Sequence, residues 1–131
     1  MEQLIRQAQQ AMEQAYAPYS RFRVGAALLC ADGTVYTGCN VENASYGATN
    51  CAERTAFFKA VSDGKRDFEA IAIVGGPEGC VKDFCPPCGV CRQVMAEFCG
   101  GGFRVILSDG TQVQTLTLDE LLPFRFTDAA L

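Results

Sequence analysis

Three cysteines and one glutamate are spaced as a metal site requires. Cys88 and Cys91, in Pro86-Pro87-Cys88-Gly89-Val90-Cys91-Arg92-Gln93, are three residues apart, and Cys51 precedes Glu53 by two in Thr49-Asn50-Cys51-Ala52-Glu53-Arg54. Positions three apart share one face of a helix, so Cys88 and Cys91 form an adjacent ligand pair if a helix starts there. Both segments read as helix starts: Asn50 suits an N-cap before Cys51, and Pro87 suits the opening of a helix at Cys88. The unpaired N–H groups and dipole of a helix start favour thiolate over thiol, and thiolate is the form that binds metal. Three thiolates leave the fourth position of a tetrahedral zinc open for water, the arrangement of a catalytic rather than a structural site. Glu53, in the first helical turn, is close enough to move protons there without being a ligand.

The inventory narrows the chemistry further. The chain of 131 residues contains no histidine, which removes every Ser-His, Cys-His and His-metal scheme and leaves proton transfer to carboxylates, thiols or metal-bound water. A formal net charge of −4 argues against a nucleic-acid partner, because phosphate backbones are met by basic faces. A small uncharged substrate fits better. Eight cysteines, with no signal-peptide pattern and no apolar run long enough to span a membrane, lead us to expect a cytoplasmic protein with metal-binding or free thiols. The length and the 49% apolar content predict one domain over residues 1–131.

The elements that must position the cysteines follow from periodicity. Leu4, Ile5, Ala8, Met12 and Ala15 predict an amphipathic helix over 2–16, ending before Pro18. Val24 to Cys30 and Thr34 to Thr37 flank Asp32-Gly33 and predict a hairpin. A helix from Cys51 to Ser62 closes at Asp63-Gly64 and leads to a buried strand over Ala70–Val74. A third helix runs from Cys88 to Phe98, and strands at Phe103–Leu107 and Gln112–Leu116 flank Ser108-Asp109-Gly110. A helical turn precedes Pro123. This order gives an α/β layered fold with a five-stranded mixed sheet and helices on both faces. Cys51 and the Cys88–Cys91 pair then lie at the carboxyl ends of strands, where open sheets place ligand sites.

The sequence resembles the small homo-oligomeric cytidine deaminases, whose motifs are C-A-E and P-C-x-x-C. The likeness extends through Ala17-Pro18-Tyr19-Ser20, Phe22-Arg23-Val24-Gly25-Ala26-Ala27-Leu28, Gly38-Cys39-Asn40-Val41-Glu42-Asn43-Ala44-Ser45-Tyr46, Cys51-Ala52-Glu53-Arg54-Thr55-Ala56 and Glu120-Leu121-Leu122-Pro123, in family order. It implies zinc-dependent hydrolytic deamination of cytidine and deoxycytidine in pyrimidine salvage. Cys51, Cys88 and Cys91 would be the ligands and Glu53 the acid and base that serves water, the pyrimidine ring nitrogen and the leaving ammonia in turn. It also implies that Phe22 packs on the pyrimidine, that Ala52 lies at the substrate, and that Asn40 and Glu42 grip the ribose hydroxyls. Ala44, Tyr46 and Phe126 would reach a neighbouring subunit's site, making a homotetramer with shared sites.

Three thiolates and Zn²⁺ sum to −1, so a cation must offset them if water is to be acidified. Arg54 and Arg92 are the candidates, and the family uses the residue matching Arg54 to hydrogen-bond ligand thiolates. Arg92 reads equally as a solvated arginine. Cys85-Pro86-Pro87-Cys88 also has C-x-x-C spacing and leaves open a structural zinc knuckle, although Cys30, Cys39, Cys80 and Cys99 supply no second such pair. Cys30 and Cys99 read as small buried hydrophobes, Cys80 and Cys85 as partly exposed thiols. Two other functions stay open: a deaminase of an antibiotic nucleoside, and a zinc-stabilised interaction module without catalysis.

Overall fold

Leu4, Ile5, Ala8 and Met12 recur at helical spacing and are all buried, and this stripe brings the first helix, α1 (Glu2–Met12), onto one face of the sheet. In the computed structural model, which describes residues 1–131, the remaining elements are β1 (Phe22–Cys30), β2 (Val35–Cys39), α2 (Ala52–Ser62), β3 (Phe68–Pro77), α3 (Gly89–Phe98), β4 (Arg104–Ser108), β5 (Val113–Thr117) and α4 (Leu118–Leu121). The strand order is β2-β1-β3-β4-β5, with β3 and β4 parallel and the other neighbours antiparallel. The mixed sheet and its helices on both faces are as the element order predicts.

Alternation along the strands supplies two cores. Ala27, Ala70, Ala72, Val74 and Ile106 face α1, while Ala26, Leu28, Ile71, Ile73, Val105 and Leu107 face α2, α3 and α4. Phe57 of α2, Met95 of α3 and Leu118 of α4 are fully buried in the second core. Each such large side chain contributes about 1.5–3 kcal/mol through burial. No helix is long and apolar enough to cross a membrane.

Two glycines set how closely the helices approach. A Cβ at Gly25 of β1 would lie 2.6 Å from the Met12 amide nitrogen, and one at Gly38 of β2 would lie 2.7 Å from that of Ala56. Backbone therefore packs on backbone at both places. The contact at Gly38 seats the first turns of α2, and with them Cys51 and Glu53.

The boundaries differ from the sequence expectation in four places. The first helix stops at Met12 rather than residue 16, because Tyr16 leaves it to bond the backbone of the 40–42 segment: its amide donates to the Asn40 carbonyl at 3.0 Å and its carbonyl accepts from the Glu42 amide at 2.8 Å. β1 and β3 both run longer than expected, pairing from Phe22–Pro77 to Cys30–Phe68. β2 and the last two strands are each shifted one residue or more toward the C-terminus. Finally, neither Asn50 nor Pro87 opens a helix, since Cys51 and Cys88 themselves occupy the N-cap positions in extended conformation. Asn50 exchanges two 2.9 Å backbone hydrogen bonds with Val41 and donates its amide to Thr55 Oγ1, so it cannot cap.

Candidate metal and active site

β2 ends at Cys39 and β3 at Pro77, and the antiparallel register sets Phe22, the first residue of β1, opposite Pro77. One sheet edge thus gathers the start of β1, the ends of β2 and β3 and the starts of α2 and α3. Neither Cys51 nor Cys88 makes a side-chain cap hydrogen bond, which leaves both sulfurs free to bind something else. Cys91 follows in the first turn of α3, on the face the three-residue spacing requires.

The three Sγ atoms lie within 4.8 Å of one another, with Cys51–Cys88 at 3.8 Å and Cys88–Cys91 at 3.5 Å. Tetrahedral zinc with Zn–S bonds of about 2.3 Å sets its sulfurs about 3.8 Å apart, so this donor set fits zinc. Arg54 donates from Nη2 to Cys51 Sγ at 3.2 Å. The Cys51 thiol is drawn down to about 5, first by the hydrogen bond from Cys91 and then, against its own burial, by Arg54. Cys91, as that donor and a buried group, is pushed up. Metal binding requires both thiols to give up their protons.

Glu53 is 5% exposed in the second helical position of α2. Burial raises its carboxyl to about 7, and the charge on Cys51 adds to the effect. A carboxyl poised near neutrality is suited to both taking and giving a proton. Ala52 beside it is fully buried.

Cys85 stands outside the trio. Burial pushes its thiol up to about 12, with the charges of Glu53 and Cys51 adding, so it stays protonated near the site. It borders the site: a Cβ at Gly75 would sit 3.0 Å from Cys85 Sγ and 3.1 Å from the Phe22 ring. The structure does not support the knuckle of Cys85 and Cys88, while Cys85 is partly exposed, as its loop suggests. Cys80 is exposed and Cys30 buried, as their surroundings suggest, and Cys99 packs at the edge of the core.

The polar pair Asn40 and Glu42 turns onto one stretch of chain. Asn40 accepts from the Val24 amide through Oδ1 and donates to the Phe22 carbonyl through Nδ2, both at 2.8 Å. Glu42 accepts from the amides of Tyr19 at 3.0 Å and Ser20 at 3.1 Å and from the Ser20 hydroxyl, which holds its carboxyl below the ordinary value. These contacts fix Phe22, whose ring is partly exposed at the head of β1. Tyr46 shares a cavity with Glu42, Tyr19 and Ser20. Ala44 is exposed on the intervening loop. Phe126 is exposed on the C-terminal segment, where its carbonyl accepts from Gln93 of α3 at 3.0 Å.

Sequence reasoning overlooked Tyr19 and Ser20 as partners of Glu42, although Pro18-Tyr19-Ser20 is a recognisable turn. It left Arg92 open between a role at the metal and a solvated surface. Arg92 is half-buried and donates to two backbone carbonyls, Pro87 at 2.8 Å and Leu121 at 2.6 Å.

Three convergent thiols, a buried carboxylate and no histidine define a thiolate-ligated zinc enzyme. The family described as the cytidine and deoxycytidylate deaminase zinc-binding region matches residues 1–106. A cytidine deaminase of Sporosarcina psychrophila is 56% identical over 128 residues, 97% of this chain and 91% of that protein. One of Halalkalibacterium halodurans is 58% identical over 125 residues, covering 95% and 92% respectively. The crystal structure of cytidine deaminase from Burkholderia pseudomallei aligns with a TM-score of 0.88 at 49% identity, covering 95% of this chain and 98% of that one. The chain belongs to the cytidine and deoxycytidylate deaminase family and carries its zinc-binding region.

Proposed function

We propose that the protein converts cytidine and deoxycytidine with water into uridine or deoxyuridine and ammonia, serving pyrimidine salvage in the cytoplasm. The observation that carries this reading is the buried Glu53 carboxyl beside the triad of Cys51, Cys88 and Cys91. Bound zinc supplies Lewis acidity that brings the pKa of water from about 16 to about 7. Glu53 accepts a proton from the attacking water and delivers it to the ring nitrogen N3, then takes the proton of the new C4 hydroxyl and delivers it to the 4-amino nitrogen, which leaves as ammonia as the C4–N bond breaks and the C4 carbonyl forms. Arg54 offsets the excess negative charge of three thiolates. Phe22 covers the base.

Asn40 and Glu42 receive the sugar. Each has capacity left: Asn40 keeps one amide hydrogen and one lone pair, and Glu42 keeps one free lone pair on Oε2 once its three donors are counted. An amide with a hydrogen to donate and a carboxylate with a lone pair to accept suit a 3′-hydroxyl, which cytidine and deoxycytidine share. Tyr46 and Phe126, 80% and 60% exposed, support a homotetramer in which these side chains and Ala44 complete a neighbouring site. Purified protein mixed with cytidine should shift the ultraviolet spectrum to that of uridine with release of ammonia; an unchanged spectrum with zinc-loaded protein would refute the assignment.

A further inference from the structure

Arg92 is the first residue after the ligand Cys91, and its side chain folds back across the ligand pair. Nε donates to the carbonyl of Pro87, the residue immediately before Cys88, at 2.8 Å, while the Arg92 amide donates to the Cys88 carbonyl at 3.0 Å. The loop from Pro87 to Arg92 is thereby closed on itself, with Cys88 and Cys91 inside it. Pro87 is fully buried, so its carbonyl has little access to water and depends on a protein donor. Nη1 of the same guanidinium donates to the carbonyl of Leu121, the last residue of α4, at 2.6 Å. One planar group thus fixes the entry to α3 and the exit of α4 together, a geometry a lysine cannot reproduce.

We infer that Arg92 is a positioning residue that holds the Cys88–Cys91 pair at metal-binding spacing by bridging the carbonyls of Pro87 and Leu121. Its side-chain hydrogen bonds go to backbone carbonyls. Cys88 is exposed and uses none of its side chain for capping, so its own thiol does not restrain the loop before it. The adjoining Gln93 tests how local the effect is, because it reaches the same C-terminal segment by a separate bond to the Phe126 carbonyl and does not touch the ligand loop.

The inference rests on zinc being held by Cys51, Cys88 and Cys91, and the test separates the two. The zinc-loaded wild type, Arg92→Gln, Arg92→Lys and Gln93→Ala are each mixed with excess colorimetric chelator, and zinc release is timed alongside thermal unfolding. Arg92→Gln should release zinc about 10- to 100-fold faster, the range typical when a group supporting a metal ligand is removed. Arg92→Lys keeps the charge but cannot span both carbonyls, and should release zinc several-fold faster; it carries the test if Arg92→Gln does not fold. Gln93→Ala should release zinc at the wild-type rate. Wild-type release from the Arg92 variants overturns the inference, as does equally fast release from Gln93→Ala, which would make the effect one of general loosening. A wild type that binds no zinc overturns the metal assignment itself.

Discussion

Arg54 places its Nη2 3.2 Å from the sulfur of Cys51, the N-cap residue of α2, so one helical turn carries the proposed metal ligand, the proposed proton-transfer carboxylate and the cation proposed to offset the ligand charge. Arg54→Gln should retain zinc less tightly and lower kcat by about 10- to 100-fold, since a hydrogen-bond partner of a ligand tunes the metal without holding it. Metal content after dialysis and steady-state kinetics would check both. Unchanged kcat with full zinc would remove Arg54 from the account.

Cysteine replacement distinguishes ligands from neighbours. Cys51→Ser, Cys88→Ser and Cys91→Ser should each lose bound zinc and unfold at lower temperature, because the site joins the starts of α2 and α3. Cys85→Ser should remain stoichiometrically loaded, since that thiol is held protonated outside the triad. Elemental analysis decides, and loss of zinc from Cys85→Ser with retention in Cys91→Ser would reverse the assignment.

The sugar-binding assignment has a structural consequence that sequence alone did not suggest. Asn40→Ala removes the partners of the Val24 amide and the Phe22 carbonyl, so it should lower stability by about 1–3 kcal/mol besides impairing turnover. Glu42→Gln keeps the shape but weakens acceptance from Tyr19 and Ser20, and kcat/KM for cytidine should fall by at least about 100-fold. Free cytosine should be a very poor substrate. Efficient deamination of the bare base would show that these residues serve only to hold the chain.

Much of the site was legible because its chemistry is local. Cys88 and Cys91 are paired by helical spacing, Glu53 follows from its distance to Cys51, and the order of elements was enough to place both segments at strand ends. The helix caps were misjudged because Asn50 has the right side chain for capping but a backbone committed to Val41, a contact between distant segments. The same limit hid the bond from Arg92 to Leu121, which spans 29 residues. The capping box of Thr117 and Glu120 could have been read, since Thr-x-x-Glu spacing announces it.

Assembly gives a further prediction. Phe124 is fully exposed and Phe126 largely so, next to an apolar chain end that would otherwise lie open to water. Truncation before Phe124 should weaken self-association and lower specific activity, increasingly so on dilution. Sedimentation alongside activity would test this, and a fully active monomer would eliminate shared sites while leaving the zinc chemistry intact.

The most direct test of the central claim is Glu53→Gln, assayed for zinc and turnover on the same preparation. Glu53 is buried beside the thiol triad and is not one of its members, and the chain has no histidine to replace it as a proton carrier. The variant should contain one zinc per chain and lose cytidine turnover by about 10²- to 10⁴-fold, the usual contribution of a positioned acid and base. Wild-type turnover would contradict the mechanism, and loss of zinc would mean that Glu53 is a ligand.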